Sequence, residues 1–166
     1  MRPVTTARFS TFVLLLALFY QGAAFAQIGQ TFTAPVSRVA DGDTITVVHD
    51  GDTTRIRLDG IDTPEMDQAF GVQARAFISS RVSDRQVTVT VHDVDRYGRF
   101  VGRVQIDGVD LSVALVSKGL AWHYTRYSDD AVLARAEAEA RAKKIGLWSQ
   151  RSPVPPWEFR RQGRAR

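Results

Sequence analysis

Residues 57–65 place one arginine, three carboxylates and a proline within nine positions of the sequence. Before them, residues 55–58 alternate between basic and apolar side chains, which predicts a β-strand with one buried face. A glycine and a proline within residues 59–64 predict tight turns, because glycine permits positive φ and proline restricts the residue before it. We therefore expect a loop that presents Asp62 and Glu65 close together. Two neighbouring carboxylates at neutral pH require positive charge nearby, from a hard metal cation or from arginine.

Two further segments carry side chains of the same chemical kind. Residues 41–44 read DGDT at the head of another alternating strand, and residues 95–99 read DRYGR at a turn between two more strands. An acidic loop by itself is an ordinary solvated turn. The ordered combination of all three segments instead favours a site built from carboxylates and arginines.

In their order and rough spacing, these segments resemble the staphylococcal nuclease family. Residues 114–121 and 146–148 extend the match, so the resemblance covers nearly the whole chain after about residue 30. The resemblance implies hydrolysis of phosphodiester bonds in nucleic acids. It also implies a barrel of the OB type, which the pattern of strands supports independently.

Oxygen atoms dominate the candidate metal ligands. Asp43 and Asp62 offer carboxylate oxygens, and the resemblance adds the backbone carbonyl of Thr63. An oxygen-only donor set suits Ca²⁺ better than Zn²⁺, because Ca²⁺ is a hard cation that tolerates irregular geometry. The three histidines of the chain show no zinc-ligand spacing, and there is no cysteine. We expect Ca²⁺ as the cofactor.

Three charged side chains are the candidate catalytic residues. Arg57 and Arg99 are assigned to the phosphate, because a guanidinium donates two parallel hydrogen bonds and stays charged at any working pH. Glu65 is assigned to orient or deprotonate the attacking water. The alternatives are ordinary ones: an exposed strand arginine for Arg57, a turn residue paired with Asp95 for Arg99, and a metal ligand or loop ion pair for Glu65.

Residues 122–127 crowd aromatic and basic side chains together. Bases stack on aromatic faces with little regard to sequence, so this segment is a candidate nucleotide shelf. Tyr124, Tyr127 and His123 are its candidate substrate-binding residues. Packing of Trp122 and Tyr124 into the core is the competing interpretation.

The first 26 residues have the pattern of a signal peptide. Arg2 and Arg8 precede the apolar run 12–20, and Ala24-Phe25-Ala26 fits a cleavage site, so we expect export and a mature chain beginning at Gln27. The apolar run is too short to cross a bilayer as a helix. We expect no stable membrane association after cleavage, and a periplasmic and a secreted destination remain open.

Basic charge is concentrated at the two ends of the chain. The total formal charge is +4, of which residues 151–166 contribute +4 and residues 1–26 contribute +2, so residues 27–150 carry −2. A uniformly basic surface is therefore excluded, and attraction to polyanions must come from a local cluster or from the tail. Proline-rich residues 152–157 predict an extended tail, with Trp157 and Phe159 as side chains that could fold back onto the domain. Its arginines are expected to stay solvated or to touch phosphates, and a disordered basic tail is the competing interpretation.

The remaining pattern predicts an α+β domain over residues 27–150, namely a five-stranded OB-type β-barrel with three helices. The predicted helices cover 70–82, with Ala74, Phe77, Ile78 and Val82 on one face, 111–118 capped by Asp110, and 131–145 capped by Ser128 or Asp129 and ended by Gly146.

Together these features predict an exported, monomeric, Ca²⁺-dependent nuclease that hydrolyses single- or double-stranded DNA and RNA with little sequence preference. The resemblance further implies 3′-phosphate ends. A catalytically silent OB-fold module that binds nucleic acid or a protein partner is the alternative. Retention of both arginines, both aspartates and the glutamate favours the enzyme.

Overall fold

The structure is a computed structural model that describes residues 28–164, so the predicted signal peptide lies outside the described residues. The strands are β1 (Thr31–Val39), β2 (Thr44–His49), β3 (Asp52–Leu58), β4 (Ile61–Asp62), β5 (Gln86–Val94), β6 (Phe100–Ile106), β7 (Val109–Asp110) and β8 (Trp122–His123). The helices are α1 (Gly71–Val82), α2 (Leu111–Ser117), α3 (Ala131–Ala142), a 3₁₀ turn (Gly146–Ser149) and α4 (Pro156–Arg164).

Five strands close into a barrel, as predicted. Their order is β3-β2-β1-β5-β6, with antiparallel neighbours throughout, and a parallel pairing of β3 with β6 completes the ring. Register shifts in β1 and β5 interrupt regular pairing and bend those strands. Closure leaves the five barrel strands with no free edge.

Alternating apolar residues fill the interior of this barrel. Ile45 and Val47 of β2 and Ile56 and Leu58 of β3 are at most 1% exposed, and the alternating valines of β5 are equally buried. Helix α1 covers the core with Ala74, Ile78 and Val82, and Phe77 packs against it partly buried, as predicted. The apolar residues that alternate along the strands and those on one face of α1 therefore pack into one common core.

The ends of α3 differ from the prediction. Asp130, rather than Ser128 or Asp129, is the N-cap, since its carboxylate accepts the N–H of Val132 at 2.7 Å. The helix stops at Ala142, three residues before the predicted end. Lys144 takes the left-handed conformation (φ 52°), and Gly146 opens the 3₁₀ turn instead of ending the helix. The cap of α2 at Asp110 is confirmed.

The predicted extended tail is wrong from Pro156 onward, because residues 156–164 form a fourth α-helix. Proline is compatible with the first helical position, where its missing N–H has no intrahelical partner to lose. Trp157 folds back onto the domain, as predicted, with its ring 5.6 Å from that of Trp122 and stacked 4.9 Å from that of Tyr124. None of the helices within residues 28–164 is long and apolar enough to cross a membrane.

Gly102 is a packing constraint at the β5–β6 pairing, because a Cβ there would collide with the carbonyl oxygen of Thr90. We expect Gly102→Ala to lower the free energy of unfolding by about 1–3 kcal/mol, the usual cost of overpacking. Urea unfolding followed by circular dichroism measures the change. Gly163→Ala is the matched control, because a methyl group there meets no atom within 4 Å. Equal stability of the two variants would contradict this account.

Candidate active site

A cleft of about 800 Å³ opens where β2 begins and β3 ends. The sequence motifs meet there, because β2 and β3 pair with Thr44 opposite Arg57, and β4 pairs with β8 with Asp62 opposite Trp122. The backbone of Leu58 also donates to the carbonyl of Asp43 at 2.8 Å. The predicted site residues that line the cleft are Asp43, Arg57, Asp62, Thr63, Glu65, Arg99, Tyr124 and Tyr127.

Arg57 joins the two aspartates at the centre of this cleft. Its Nη1 donates to Asp43 Oδ1 at 2.6 Å, and its Nη2 donates to Asp62 Oδ1 at 2.9 Å and to the carbonyl of Ile61 at 3.1 Å. Burial lowers the pKa of Arg57, but the charges of Asp43 and Asp62 outweigh burial and raise it, so the guanidinium stays charged. The predicted exposed strand arginine is therefore excluded.

Asp43 is held from a second side by Thr63. Its Oδ2 accepts the N–H of Thr63 at 2.9 Å and the hydroxyl of Thr63 at 3.1 Å, while Oδ1 accepts the hydroxyl of Thr44 at 3.1 Å. Asp43 is 3% exposed and Asp62 is 1% exposed. The predicted metal ligands are thus adjacent and fixed by hydrogen bonds.

The cleft carries more negative than positive charge. Its carboxylates include Asp41, Asp43, Asp62 and Glu65, whereas Arg57 and Arg160 are the guanidiniums that contact them. Burial and the charge of Asp43 raise the pKa of Asp41 to about 6. Burial also raises the pKa of Asp62, opposed by hydrogen bonding from Arg160 and reinforced by the charge of Asp43.

This charge excess and the oxygen chemistry of the ligands fit a hard divalent cation. Within residues 28–164, no group of three or more histidine, cysteine, aspartate or glutamate side chains is arranged to hold a metal ion. A bound cation would therefore rely on Asp43 and Asp62, with the carbonyl of Thr63 and water completing its shell. Such a cation would lower the cost of keeping these carboxylates charged.

Arg99 also lines the cleft. Its Nε donates to Asp95 Oδ2 at 2.7 Å, and its Nη1 donates to the Thr44 hydroxyl at 3.3 Å. Asp95 also accepts the backbone N–H groups of Arg99 and Tyr97. Arg99 thus pairs with Asp95, as the alternative interpretation predicted, and it also lines the cleft with a fifth of its side chain exposed.

Only part of the aromatic segment, residues 122–127, is exposed to solvent. Tyr127 is 69% exposed, and its ring contacts Tyr124 edge-on at 4.8 Å. Tyr124 stacks on Trp157, so one of its faces is already covered. His123 lies outside the cleft, which corrects its assignment as a substrate contact. It is 5% exposed because β8 packs against β4, and its Nε2 lies 3.3 Å from the Ser128 hydroxyl.

Arg160 is the cleft residue that sequence reasoning missed. From α4 its Nη1 donates to Glu65 Oε1 at 2.7 Å, and its Nη2 donates to Asp62 Oδ2 at 2.7 Å. Burial lowers the pKa of Arg160, but hydrogen bonds to Asp62 and Glu65 outweigh burial and raise it. The expectation that the tail arginines stay solvated is therefore wrong for this one. Its spacing of three from Trp157 was the available clue, because residues i and i+3 share a helix face.

Comparison with known proteins supports one family. Residues 55–150 match the model of the staphylococcal nuclease homologues. An uncharacterized endonuclease of Escherichia coli is 45% identical over 126 residues, which cover 75% of this chain and 82% of that protein. A micrococcal nuclease of Shigella flexneri is 39% identical, covering 78% and 81%. A staphylococcal-like nuclease of Arabidopsis thaliana is 43% identical, covering 66% of this chain and 34% of the longer plant protein.

Because of Asp95, the stability of the fold is expected to depend on pH. Burial alone would raise its pKa, but hydrogen bonds from the backbone and side chain of Arg99 and the backbone of Tyr97 lower it below 3.8. A depressed carboxyl pKa stabilises the fold above the unfolded-state pKa, and this contribution is lost as pH falls through the folded-state value. We expect Asp95→Asn to have a lower free energy of unfolding than wild type near neutral pH. This difference in stability should become smaller below about pH 4.

Thermal unfolding across this pH range measures the effect. Asp84→Asn is the control, since this aspartate is exposed. A stability gap for Asp95→Asn that stays constant down to about pH 2.5 would contradict the assignment.

Proposed function

Since this chain belongs to the staphylococcal nuclease family and is a phosphodiester-hydrolysing nuclease, we propose that it is a Ca²⁺-dependent endonuclease that cuts DNA and RNA with little sequence preference. The observation that carries this proposal is the shared cleft. It gathers two buried aspartates, a half-exposed glutamate and two arginines from segments far apart in the sequence. Phosphodiester hydrolysis needs these functions together: cation ligands, a group that places water, and donors for the phosphate.

Asp43, Asp62 and the carbonyl of Thr63 are the proposed ligands of Ca²⁺. When bound, the ion supplies positive charge next to the phosphate and lowers the pKa of a coordinated water. The excess of carboxylates in the cleft and the absence of sulfur ligands support this choice of metal. Both aspartates are held by several hydrogen bonds, so little conformational freedom remains to be lost on metal binding.

Arg57 and Arg99 are the proposed phosphate-binding residues. Negative charge builds up on the non-bridging oxygens during the reaction, and preorganised guanidiniums stabilise it most when they are already in place. Asp95 fixes Arg99 through Nε and leaves one edge of the guanidinium toward the cleft. Arg57 is fixed by the aspartates, and an anionic substrate would compete for its donors.

Glu65 is proposed to place the attacking water or to take its proton. In this step the water oxygen forms a bond to phosphorus and gives up a proton to Glu65 or to solvent, while the bond from phosphorus to the 5′ oxygen breaks and that oxygen takes up a proton from solvent. The products are a 3′-phosphate and a 5′-hydroxyl. Side-chain exposure of 38% leaves Glu65 accessible to water.

Tyr127 is the proposed stacking surface for a base, with Tyr124 behind it. Stacking on an aromatic face contributes about 1–3 kcal/mol per base and hardly distinguishes the bases, which suits a sequence-tolerant nuclease. The residues that line this cleft all come from one chain, so we propose a monomer. Export is proposed from the first 26 residues, with no membrane association after cleavage.

A cleavage assay tests the catalytic proposal. Residues 27–166 are incubated with single-stranded DNA, double-stranded DNA and RNA, with Ca²⁺ or with a chelator. We expect cutting of all three substrates only with Ca²⁺, and a loss of at least about 10²-fold in kcat for Glu65→Gln, since general-base catalysis contributes at least that much. Asp67→Asn is the matched control, because it removes the same charge from an exposed position in the same loop.

Equal rates for Glu65→Gln and wild type, or cutting that survives chelation, would contradict the proposal. Treatment of the products with a phosphatase, followed by analysis of their ends, tests which bond is broken. The proposal requires the phosphate to be on the 3′ end.

Export is tested by expressing the full chain in a Gram-negative bacterium and sequencing the amino terminus of the product. We expect an exported protein that begins at Gln27, and accumulation of a precursor when Ala26 is changed to Phe, because the cleavage site requires a small residue there. A product that retains residues 1–26 in the cytoplasmic fraction would refute export.

A further inference from the structure

Helix α4 is docked on the barrel beside the cleft. Trp157 stacks on Tyr124 with an interplanar angle of 1° and meets the edge of Trp122. Just before the helix, the carbonyl of Val154 accepts a hydrogen bond of 2.7 Å from Gln68 Nε2, in the loop that also carries Glu65. Aromatic packing on one side and this hydrogen bond on the other fix where α4 lies.

Docking places Arg160 one turn after Trp157, and its guanidinium spans two carboxylates. It contacts both oxygens of Asp62, at 3.3 and 2.7 Å, and one oxygen of Glu65 at 2.7 Å. The planar fork of arginine can bridge two acceptors in fixed directions, whereas an ammonium is a point charge. The relative position of Asp62 and Glu65 is therefore set by a residue outside the barrel.

From this geometry, and resting on the proposed function, we propose that Arg160 is a positioning residue for Glu65 and that α4 is a working part of the active site. Glu65 lies on a loop and is partly exposed, so its carboxylate would otherwise sample several rotamers. Arg160 holds Oε1. Among the side chains described for residues 28–163, none donates a hydrogen bond to Oε2, which leaves that oxygen for the water.

The contact differs from an ordinary surface ion pair. Asp62 is 1% exposed, so its pairing with Arg160 is screened much less by solvent than an exposed pair. The neighbouring Arg161 provides the contrast, since its side chain is 76% exposed and its nearest carboxylate, on Glu158, is 3.9 Å away. Only one of these adjacent arginines touches the cleft.

Of the two aspartates proposed as metal ligands, Arg160 engages only Asp62, through both carboxylate oxygens. Arg160 does not contact Asp43, whose oxygens are held by Arg57, Thr44 and Thr63. It takes one oxygen of Glu65 and leaves the other. The arrangement therefore orients the acidic side chains without covering the phosphate-binding wall at Arg99.

Single substitutions test the role of Arg160. We expect Arg160→Ala to lower kcat about 10²-fold, the effect of misplacing a reacting group by about 1 Å, with KM changed less than about threefold. Added guanidinium ion should restore part of the kcat of Arg160→Ala. Arg160→Lys should recover only part of the rate, because it keeps the charge and loses the bridge. Arg161→Ala removes the same charge next to it and should match wild type.

A double-mutant cycle with Glu65→Gln identifies the residue through which Arg160 acts. In the Glu65→Gln background, we expect Arg160→Ala to cost less than about threefold in kcat, because residues that act as a unit are strongly non-additive. Circular dichroism melts verify that each variant is folded. If Arg160→Ala does not fold, Arg160→Lys takes its place in the cycle.

Four results would overturn the inference: wild-type rates for Arg160→Ala, faster cutting by it, a loss confined to KM, or an equal loss in both backgrounds. Faster cutting would make α4 an inhibitory latch, and a KM effect would place Arg160 on the substrate. A wild-type protein that does not cut, or a Glu65→Gln variant that cuts normally, would refute the proposed function and this inference together. If Glu65→Gln loses activity as expected but Arg160→Ala cuts at the wild-type rate, the inference alone is refuted.

Discussion

Two aspartates, one just before β2 and one on β4, lie side by side with almost no contact with water, and the guanidinium of Arg57 spans the gap between them. Removing one partner from a buried ion pair costs about 3–5 kcal/mol, because the remaining charge is left uncompensated. Two carboxylates can therefore share this small space only because a cation is fixed between them. The surrounding polar contacts, from Thr63 to Asp43 and from Arg160 to Asp62, complete the compensation.

The barrel makes that arrangement possible. Pairing of β2 with β3 sets Asp43 beside the strand that carries Arg57, and the short β4–β8 ladder returns Asp62 toward both. Closure through β3 and β6 brings the turn with Asp95 and Arg99 to the same cleft. The closed barrel thus holds in place side chains that would repel one another and be hydrated on a flexible loop.

The carboxyl-terminal helix completes the site from outside the barrel. Its contact through Trp157 is apolar and its contact through Arg160 is ionic. One helical turn therefore both packs α4 against the domain and orients the guanidinium toward the carboxylates. A single guanidinium from α4 then neutralises part of the charge excess at Asp62 and Glu65. Of the two adjacent arginines of α4, Arg160 therefore pairs with carboxylates inside the cleft, whereas Arg161 lies at the surface.

The sequence by itself determined the barrel, the first two helices and the acidic and basic residues of the site, because periodicity, turn chemistry and short motifs are local properties. Tertiary structure decided the rest. His123 is buried against β4 and lies outside the cleft, and Arg160 lies in it. Lys144 takes a left-handed conformation just after α3, and Gly146, which is also left-handed, opens the 3₁₀ turn. The positions of His123 and Arg160 depend on contacts between residues distant in the chain, namely the pairing of β8 with β4 and the stacking of Trp157 on Tyr124, which no local pattern encodes.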